Sequence, residues 1–140
     1  MNIITVEGGN KKRRLLAEEV VSFCIQKLMP RMRTLDIEVV LTNISDADGY
    51  CNSDNNREFE LEIDKKLKDN DFISTVAHEM VHVWQYATRQ LTQRGCKELW
   101  RGKDYTDASY SKKPWERQAV RMEKQLLQDF KKTRKKNEKN

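Results

Sequence analysis

Apolar residues recur at helical spacing in three segments of the chain. The first segment, Lys11 to Met29, ends at Pro30, which a helix does not comfortably continue through; its apolar positions are Leu15, Leu16, Val20, Phe23 and Leu28. A second helix is predicted from Asp71, a residue that can cap a helix, to about Gln90. The third begins with Pro114 in its first turn and continues to Phe130.

Alternating apolar and polar residues predict two strands between the first two helices. Leu35 to Ile44 alternates in its first half and is rich in β-branched residues, and Phe59, Leu61 and Ile63 then alternate with acidic residues. The intervening SDADGYCNSDNN is dense in turn-forming residues, and a loop is predicted from Gly95 to Ser111. The predicted order is therefore helix, strands, helix, loop, helix.

Length and charge divide the chain into a globular part and a tail. With 140 residues it is long enough for one domain with a modest core. Its net charge of +5 lies in residues 131–140, which hold six Lys or Arg and one Glu, while residues 1–130 carry 21 charges of each sign. We predict a single domain over residues 1–130 and a basic, disordered tail over 131–140, which can also bind nucleic acid weakly through phosphate groups.

Composition also excludes several classes of protein. No apolar run is long enough to span a bilayer, and the N-terminal residues lack the pattern of a signal peptide, so we expect a protein of the cytoplasm with no membrane partner. The three cysteines, Cys24, Cys51 and Cys96, form no CxxC pair, which fits neither a disulfide framework nor a structural zinc knuckle.

Residues 78–82 read His-Glu-Met-Val-His, the HExxH pattern, in the middle of the second predicted helix. Histidines four residues apart share one helical face, so His78 and His82 can converge on one Zn²⁺. Glu79 is turned by about 100° from His78, which lets it miss the metal yet reach a water molecule as general base. The pattern predicts a catalytic zinc site.

The position of the histidines on the helix argues against a role in core packing. With His78 placed at 0°, His82 falls at about 40°, whereas the apolar residues from Phe72 to Ala87 occupy roughly 120° to 260°. Both histidines therefore lie off the apolar stripe.

A catalytic zinc takes three protein ligands, and the chain has no third histidine. We favour Glu116, because a third helix packed beside the second through Trp115 and Ala119 would project it inward. A cysteine is less plausible, and four other carboxylates remain open as the third ligand: Glu98, Asp104, Asp107 and Glu123.

These residues resemble the zincin metallopeptidases, and among them the gluzincins, in which HExxH is completed by a glutamate from a following helix. HEMVH at 78–82 carries the resemblance, and PWERQA at 114–119 is similar to the PWE-x-EA segment of small SprT-like and phage-encoded minimal metallopeptidases. SprT-like proteins proper use a third histidine, which this chain lacks, so their DNA-linked substrates do not carry over.

The resemblance implies an α+β, zincin-like fold in which a small, mostly antiparallel sheet lies over the active-site helix. Residues 57–64 would form the edge strand that pairs with an extended peptide or protein substrate. Tyr105 or Tyr110 would donate to the developing oxyanion, with Tyr86 as a third option. The implied protein is a monomeric zinc peptidase of the cytoplasm, or of the host cytoplasm if phage-encoded. The alternative is an inactive zinc-binding structural or regulatory domain, associated with DNA through the tail.

Overall fold

A computed structural model describes residues 1–139 of the chain, and within them the fold is α+β. The elements, in chain order, are β1 (Ile3–Gly8), α1 (Lys11–Leu28), β2 (Asp36–Thr42), β3 (Gly49–Ser53), β4 (Glu58–Asp64), α2 (Asp69–Ala87), β5 (Leu91–Arg94), β6 (Lys97–Trp100), β7 (Lys103–Asp104), a 3₁₀ turn (Tyr110–Lys112) and α3 (Pro114–Lys139). All three predicted helices are present.

The larger sheet has four strands in the order β1-β2-β4-β3. β2 is parallel to both β1 and β4, and only β3 is antiparallel to its neighbour β4. The expectation of a mostly antiparallel sheet is therefore wrong. The reason is β1, which the sequence interpretation passed over: α1 connects β1 to β2 as a crossover, and strands joined in this way run parallel.

The strand at the edge of the sheet also differs from the expectation. Residues 57–64 contain β4, which lies inside the sheet between β2 and β3. The edge is β3, Gly49–Ser53, a segment that the sequence interpretation assigned to turns because Asp, Asn and Ser surround it. Pairing with β4 imposes the extended conformation that local composition does not favour.

One face of this sheet is covered by helices, and the other is acidic. Alternation along β2 and β4 turns the apolar residues inward, where α1 and α2 bury them; they are Ile37, Val39, Leu41, Phe59, Leu61 and Ile63. α3 then packs against the opposite side of α2. The layers are therefore sheet, then α1 with α2, then α3, which places α2 at the centre of the molecule.

The predicted loop from Gly95 to Ser111 instead contains part of a second sheet, β5-β6-β7. It is held by a separate apolar cluster in which Leu91 and Trp100 pack against Trp115 at the start of α3. Gly95 and Gly102 adopt positive φ angles in the connections, as turns of this kind require. The small strands were missed because their length gives no readable alternation.

The third helix is longer than predicted. Phe130 is buried and its ring centroid lies 5.4 Å from that of Phe23, after which α3 continues to Lys139. Residues 131–139, where a disordered tail is expected from the sequence, are thus described as helix, because Lys, Arg and Glu are good helix formers and extend a helix that is already docked. Among the described helices, none is both long and apolar enough to cross a membrane.

The end of β1 lies against β2, which makes a sharp test of the fold. Gly8 has φ +84°, and a Cβ atom there would lie 2.1 Å from the carbonyl oxygen of Leu41. We expect Gly8→Ala to lower the free energy of unfolding by about 3 kcal/mol or more, since strain and backbone collision add. Urea denaturation measures this loss.

Gly95→Ala is the matched control, because Gly95 has φ +61° and open space around it. It should cost only about 1 kcal/mol, the price of the backbone conformation alone. Equal losses for the two variants would show that the close approach of β1 to β2 is absent.

Candidate metal centre

α2 is buried on two sides, which explains how histidines off the apolar stripe come to lie inside the protein. Phe72, Val76 and Met80 face the main core and are fully buried. On the other side, α3 covers the face that carries the HExxH motif, so that His82 is only 6% exposed. The angular positions predicted from the sequence correctly separate the apolar face of α2 from the face that carries the histidines. They do not show that both faces are covered.

His78, His82 and Glu116 meet between α2 and α3. The Nε2 atoms of the two histidines lie 3.2 and 3.1 Å from the same carboxylate oxygen, Oε1 of Glu116. Within residues 1–139, these three residues form the one group of possible ligands that could hold a metal ion, with ligand atoms within 4.8 Å of one another. Of the candidate third ligands, the structure therefore brings Glu116 to the histidines.

The outer nitrogen of each imidazole has its own partner. Nδ1 of His78 lies 3.0 Å from Oε1 of Glu123, and Nδ1 of His82 lies 2.8 Å from Oε1 of Gln85. Both partners are acceptors, so each Nδ1 carries a proton and, in the neutral tautomer, each Nε2 presents its lone pair to the centre. Histidine ligands of metal ions are generally oriented in this way.

These outer partners are themselves anchored. Ser74 donates a hydrogen bond of 2.6 Å to the second carboxylate oxygen of Glu123. The amide nitrogen of Gln85 donates to the Trp115 carbonyl at 3.0 Å and to Gln118 at 2.8 Å. Gln85 is fully buried. Because it bonds to both His82 and the Trp115 carbonyl, it connects His82 to the backbone of α3.

The ionisation of the cluster reflects its burial and its hydrogen bonds. Burial disfavours charge on His78, but hydrogen bonds with Glu116 and Glu123 outweigh it and raise the pKa to about 10. Burial also opposes charge on Glu116, yet hydrogen bonds from both histidines hold its pKa well below the usual range. In the metal-free protein, a proton on imidazole thus supplies the positive charge between the carboxylates.

Glu79 lies beside the cluster and lines a cleft of about 430 Å³. It is 6% exposed, and burial raises its pKa against the opposing charges of His82 and His78. A carboxyl group whose pKa is raised, next to a candidate metal site, is suited to accept a proton. The cleft lies between β3 on one side and the β5–β6 hairpin on the other; its walls include Cys51, Tyr86, Leu91 and Gln93.

The three candidate tyrosines have separate positions. The Tyr110 hydroxyl donates to Oε1 of Glu116 at 3.0 Å, so this residue is at the centre. Tyr105 packs edge-on against Trp115 in the second apolar cluster, outside the residues that line the cleft. Tyr86 lines the cleft further along. Of the two favoured tyrosines, only Tyr110 reaches the site.

The other candidate carboxylates have other partners or are exposed. Glu98 pairs with Lys113, Asp104 accepts hydrogen bonds from Thr106, and Asp107 is exposed. Glu123 contacts the outer side of His78. Cys51 faces the cleft, but burial and then the charges of Glu79 and Glu116 raise the pKa of its thiol well above the ordinary value.

Sequence reasoning missed Gln85, and it named Glu123 only as an alternative third ligand, whereas the structure places this carboxylate at the outer nitrogen of His78. Gln85 follows His82 by three residues and so shares its helical face, a spacing that could have identified it. Glu123 follows Glu116 by two turns of α3 and lies on the same face for the same reason. Their partners on α2 are set by the packing of two helices, which spacing within one helix does not reveal.

Comparison with known proteins identifies no relative: no family model, curated protein or solved structure matches the chain. A functional interpretation therefore depends on the geometry of the site.

Gln85→Leu keeps the size of the side chain but leaves His82 Nδ1 and the Trp115 carbonyl without partners. We expect the free energy of unfolding to fall by about 1–3 kcal/mol, and the affinity for a divalent metal ion to fall by about 10- to 100-fold. Gln125→Leu, an exposed site on α3, should change stability by less than about 0.5 kcal/mol. Chemical denaturation and metal titration measure both effects, and unchanged metal affinity would contradict the role of Gln85.

The pKa of His78 predicts how metal binding depends on pH. This pKa is raised from 6.5 to about 10. The interaction of protonated His78 with Glu116 and Glu123 therefore stabilises the metal-free protein fully below pH 6.5, and this stabilisation is lost as the pH rises through 10. A metal ion must displace this proton, so binding at pH 8 should release about one proton. Calorimetric titration in buffers of different ionisation enthalpy counts the protons. Release near zero at pH 8 would mean that His78 titrates as an ordinary histidine.

Proposed function

We propose that this protein is a zinc-dependent peptidase, with His78, His82 and Glu116 holding the metal and Glu79 acting as general base. One observation carries the proposal. Both Nε2 atoms and a carboxylate oxygen converge at the floor of an open cleft, and Glu79 lines the same cleft between the two histidines in sequence. A purely structural metal site has no need of this buried carboxylate.

The donor set fits zinc. Two imidazole nitrogens and one carboxylate oxygen form an established catalytic set that leaves a fourth position open. Ligands at about 2.1 Å from a tetrahedral ion lie about 3.4 Å apart, close to the 3.1 and 3.2 Å between Glu116 and the histidines. Zinc held there would polarise a carbonyl group and lower the pKa of water.

Each side chain then has a defined task. Glu79 accepts the proton of the attacking water and delivers it to the leaving amine, as its raised pKa suits. Glu123 and Gln85 hold the imidazoles by their Nδ1 atoms, which keeps each Nε2 directed inward. Tyr110, whose hydroxyl lies 3.0 Å from Oε1 of Glu116, donates to the developing oxyanion.

The substrate is an extended peptide. β3 borders the cleft and is the edge of its sheet, so its outer backbone groups are available for main-chain pairing. This replaces the earlier assignment of substrate pairing to residues 57–64. Leu91 and Trp115 give the cleft an apolar wall for a substrate side chain.

Glu79→Gln separates this proposal from a zinc-binding structural domain. The variant keeps the shape of the side chain but has no proton acceptor. It should bind about one zinc per chain and melt close to wild type, while hydrolysis falls by about 10² to 10⁴. Zinc content by elemental analysis, beside cleavage of an unfolded protein or a mixed peptide pool, measures both properties.

Two control variants complete the experiment. Glu116→Ala should reduce zinc retention and activity together, as loss of a ligand would, and Glu60→Gln on the outer face of the sheet should alter neither. Equal cleavage by wild type and Glu79→Gln would assign the activity to another site or protein. A zinc-loaded wild type that is inert on a broad pool would favour the structural domain.

A further inference from the structure

The excess positive charge of the chain is placed beside a second basic segment by the fold. α3 runs back along α1, so that Phe130 contacts Phe23 and Arg134 lies 3.9 Å from Glu19. The C-terminal part of α3 thereby reaches the first turn of α1, which begins Lys-Lys-Arg-Arg at residue 11. Between them is a groove of about 680 Å³. Its charged lining residues are five basic ones, Lys12, Arg13, Lys131, Arg134 and Lys135, and three acidic ones, Glu19, Asp69 and Glu138, so that positive charge is in excess. We call it the basic groove.

The charges at the start of α1 are unfavourable for the helix that carries them. The N-terminus of a helix bears partial positive charge, and acidic residues are normally found there. The first turn of α1 contains no acidic residue, and its four leading residues are all basic. The protein compensates two of the four: Arg13 pairs with Asp69 at 2.9 Å, and Arg14 donates to the carbonyl oxygens of Gly8 and Gly9. Lys11 and Lys12 are exposed and are left for a partner outside the chain.

α3 shows a similar conflict. Lys131 and Lys135 are four residues apart, as are Lys132 and Lys136, so like charges are neighbours along the exposed surface of the helix. Such pairs are destabilising. Within residues 1–139, Arg134 is the one basic residue between 131 and 136 with an acidic partner at ion-pair distance. Repulsion on both helices would be relieved by one polyanion lying across the groove.

We propose that the basic groove binds the phosphate backbone of nucleic acid. A lipid surface is disfavoured, because residues 131–138 contain no apolar side chain that could enter a bilayer, and Leu15 is the one exposed large apolar side chain among the residues that line the groove. Residue 131 is about 22 Å along α3 from Glu116, and none of the residues lining the groove also lines the cleft. Binding is therefore independent of the metal centre and of the proposed peptidase activity.

The experiment compares three double variants of the full chain, each of which removes two positive charges. Lys11→Gln/Lys12→Gln acts on the first turn of α1, where Lys12 lines the groove and Lys11 is its exposed neighbour, and Lys131→Gln/Lys135→Gln acts on α3. Arg94→Gln/Lys97→Gln is the control, on the exposed β5–β6 hairpin. Fluorescence anisotropy of a labelled 20-base-pair DNA duplex is followed from 50 to 300 mM salt, and sedimentation with phosphatidylserine vesicles is measured in parallel.

Both groove variants should bind the duplex about tenfold or more weakly than wild type at 50 mM salt. The negative slope of log affinity against log salt should become shallower by about two. The control should stay within about twofold of wild type. If the α1 variant binds the duplex with wild-type affinity, α1 takes no part in binding and the groove proposal is wrong. The C-terminal part of α3 would then be the binding segment by itself. Equal loss in the control would reduce the effect to net charge, and stronger binding to vesicles than to DNA, lost in the same variants, would assign the surface to membranes.

Discussion

α3 crosses the histidine-bearing face of α2, and the candidate metal centre depends on this contact. Trp115 and Ala119 are buried at the crossing, and they bring Glu116 within 3.2 Å of both histidines. Gln85 makes the contact specific, since its fully buried amide joins His82 to the backbone of Trp115. A buried amide that is left unpaired is costly, so the hydrogen bonds of Gln85 favour the register of α2 against α3 in which they form.

The same contact creates an electrostatic demand. Glu79, Glu116 and Glu123 gather around two imidazoles in a site that is largely shielded from water. Buried carboxylates require compensating positive charge. Without a metal, that charge is a proton on His78; a divalent cation at the Nε2 atoms would supply it more completely and free the proton. The negative charge of these carboxylates therefore favours cation binding, as the ligand geometry also does.

Charge is also separated over the whole molecule. The uncovered face of the large sheet carries acidic residues on neighbouring strands, and Glu38 lies across from Glu60 in the β2–β4 register. Burial, followed by contact with Glu7 and repulsion from neighbouring acids, raises the pKa of Glu38. The basic groove lies at the end of α3 that is remote from Glu116. The molecule thus carries an acidic sheet face and, partly through residues 131–135, a basic groove, and this separation of charge bears on how partners approach.

Local pattern was sufficient for features that depend on one element at a time. The three helices follow from periodicity, the pairing of His78 with His82 from their spacing of four, and the inward turn of Phe59, Leu61 and Ile63 from alternation. Selection of Glu116 required only that a third helix pack beside the second through Trp115. Tertiary structure decided what depends on contact between elements: the parallel β1–β2 pair, β3 as the edge strand, and the partners of His78 and His82 on their outer nitrogens. It also docked the basic end of α3 against α1. Periodicity records which side of a helix or strand is buried, but the identity of the neighbour that buries it is set by packing between residues far apart in sequence.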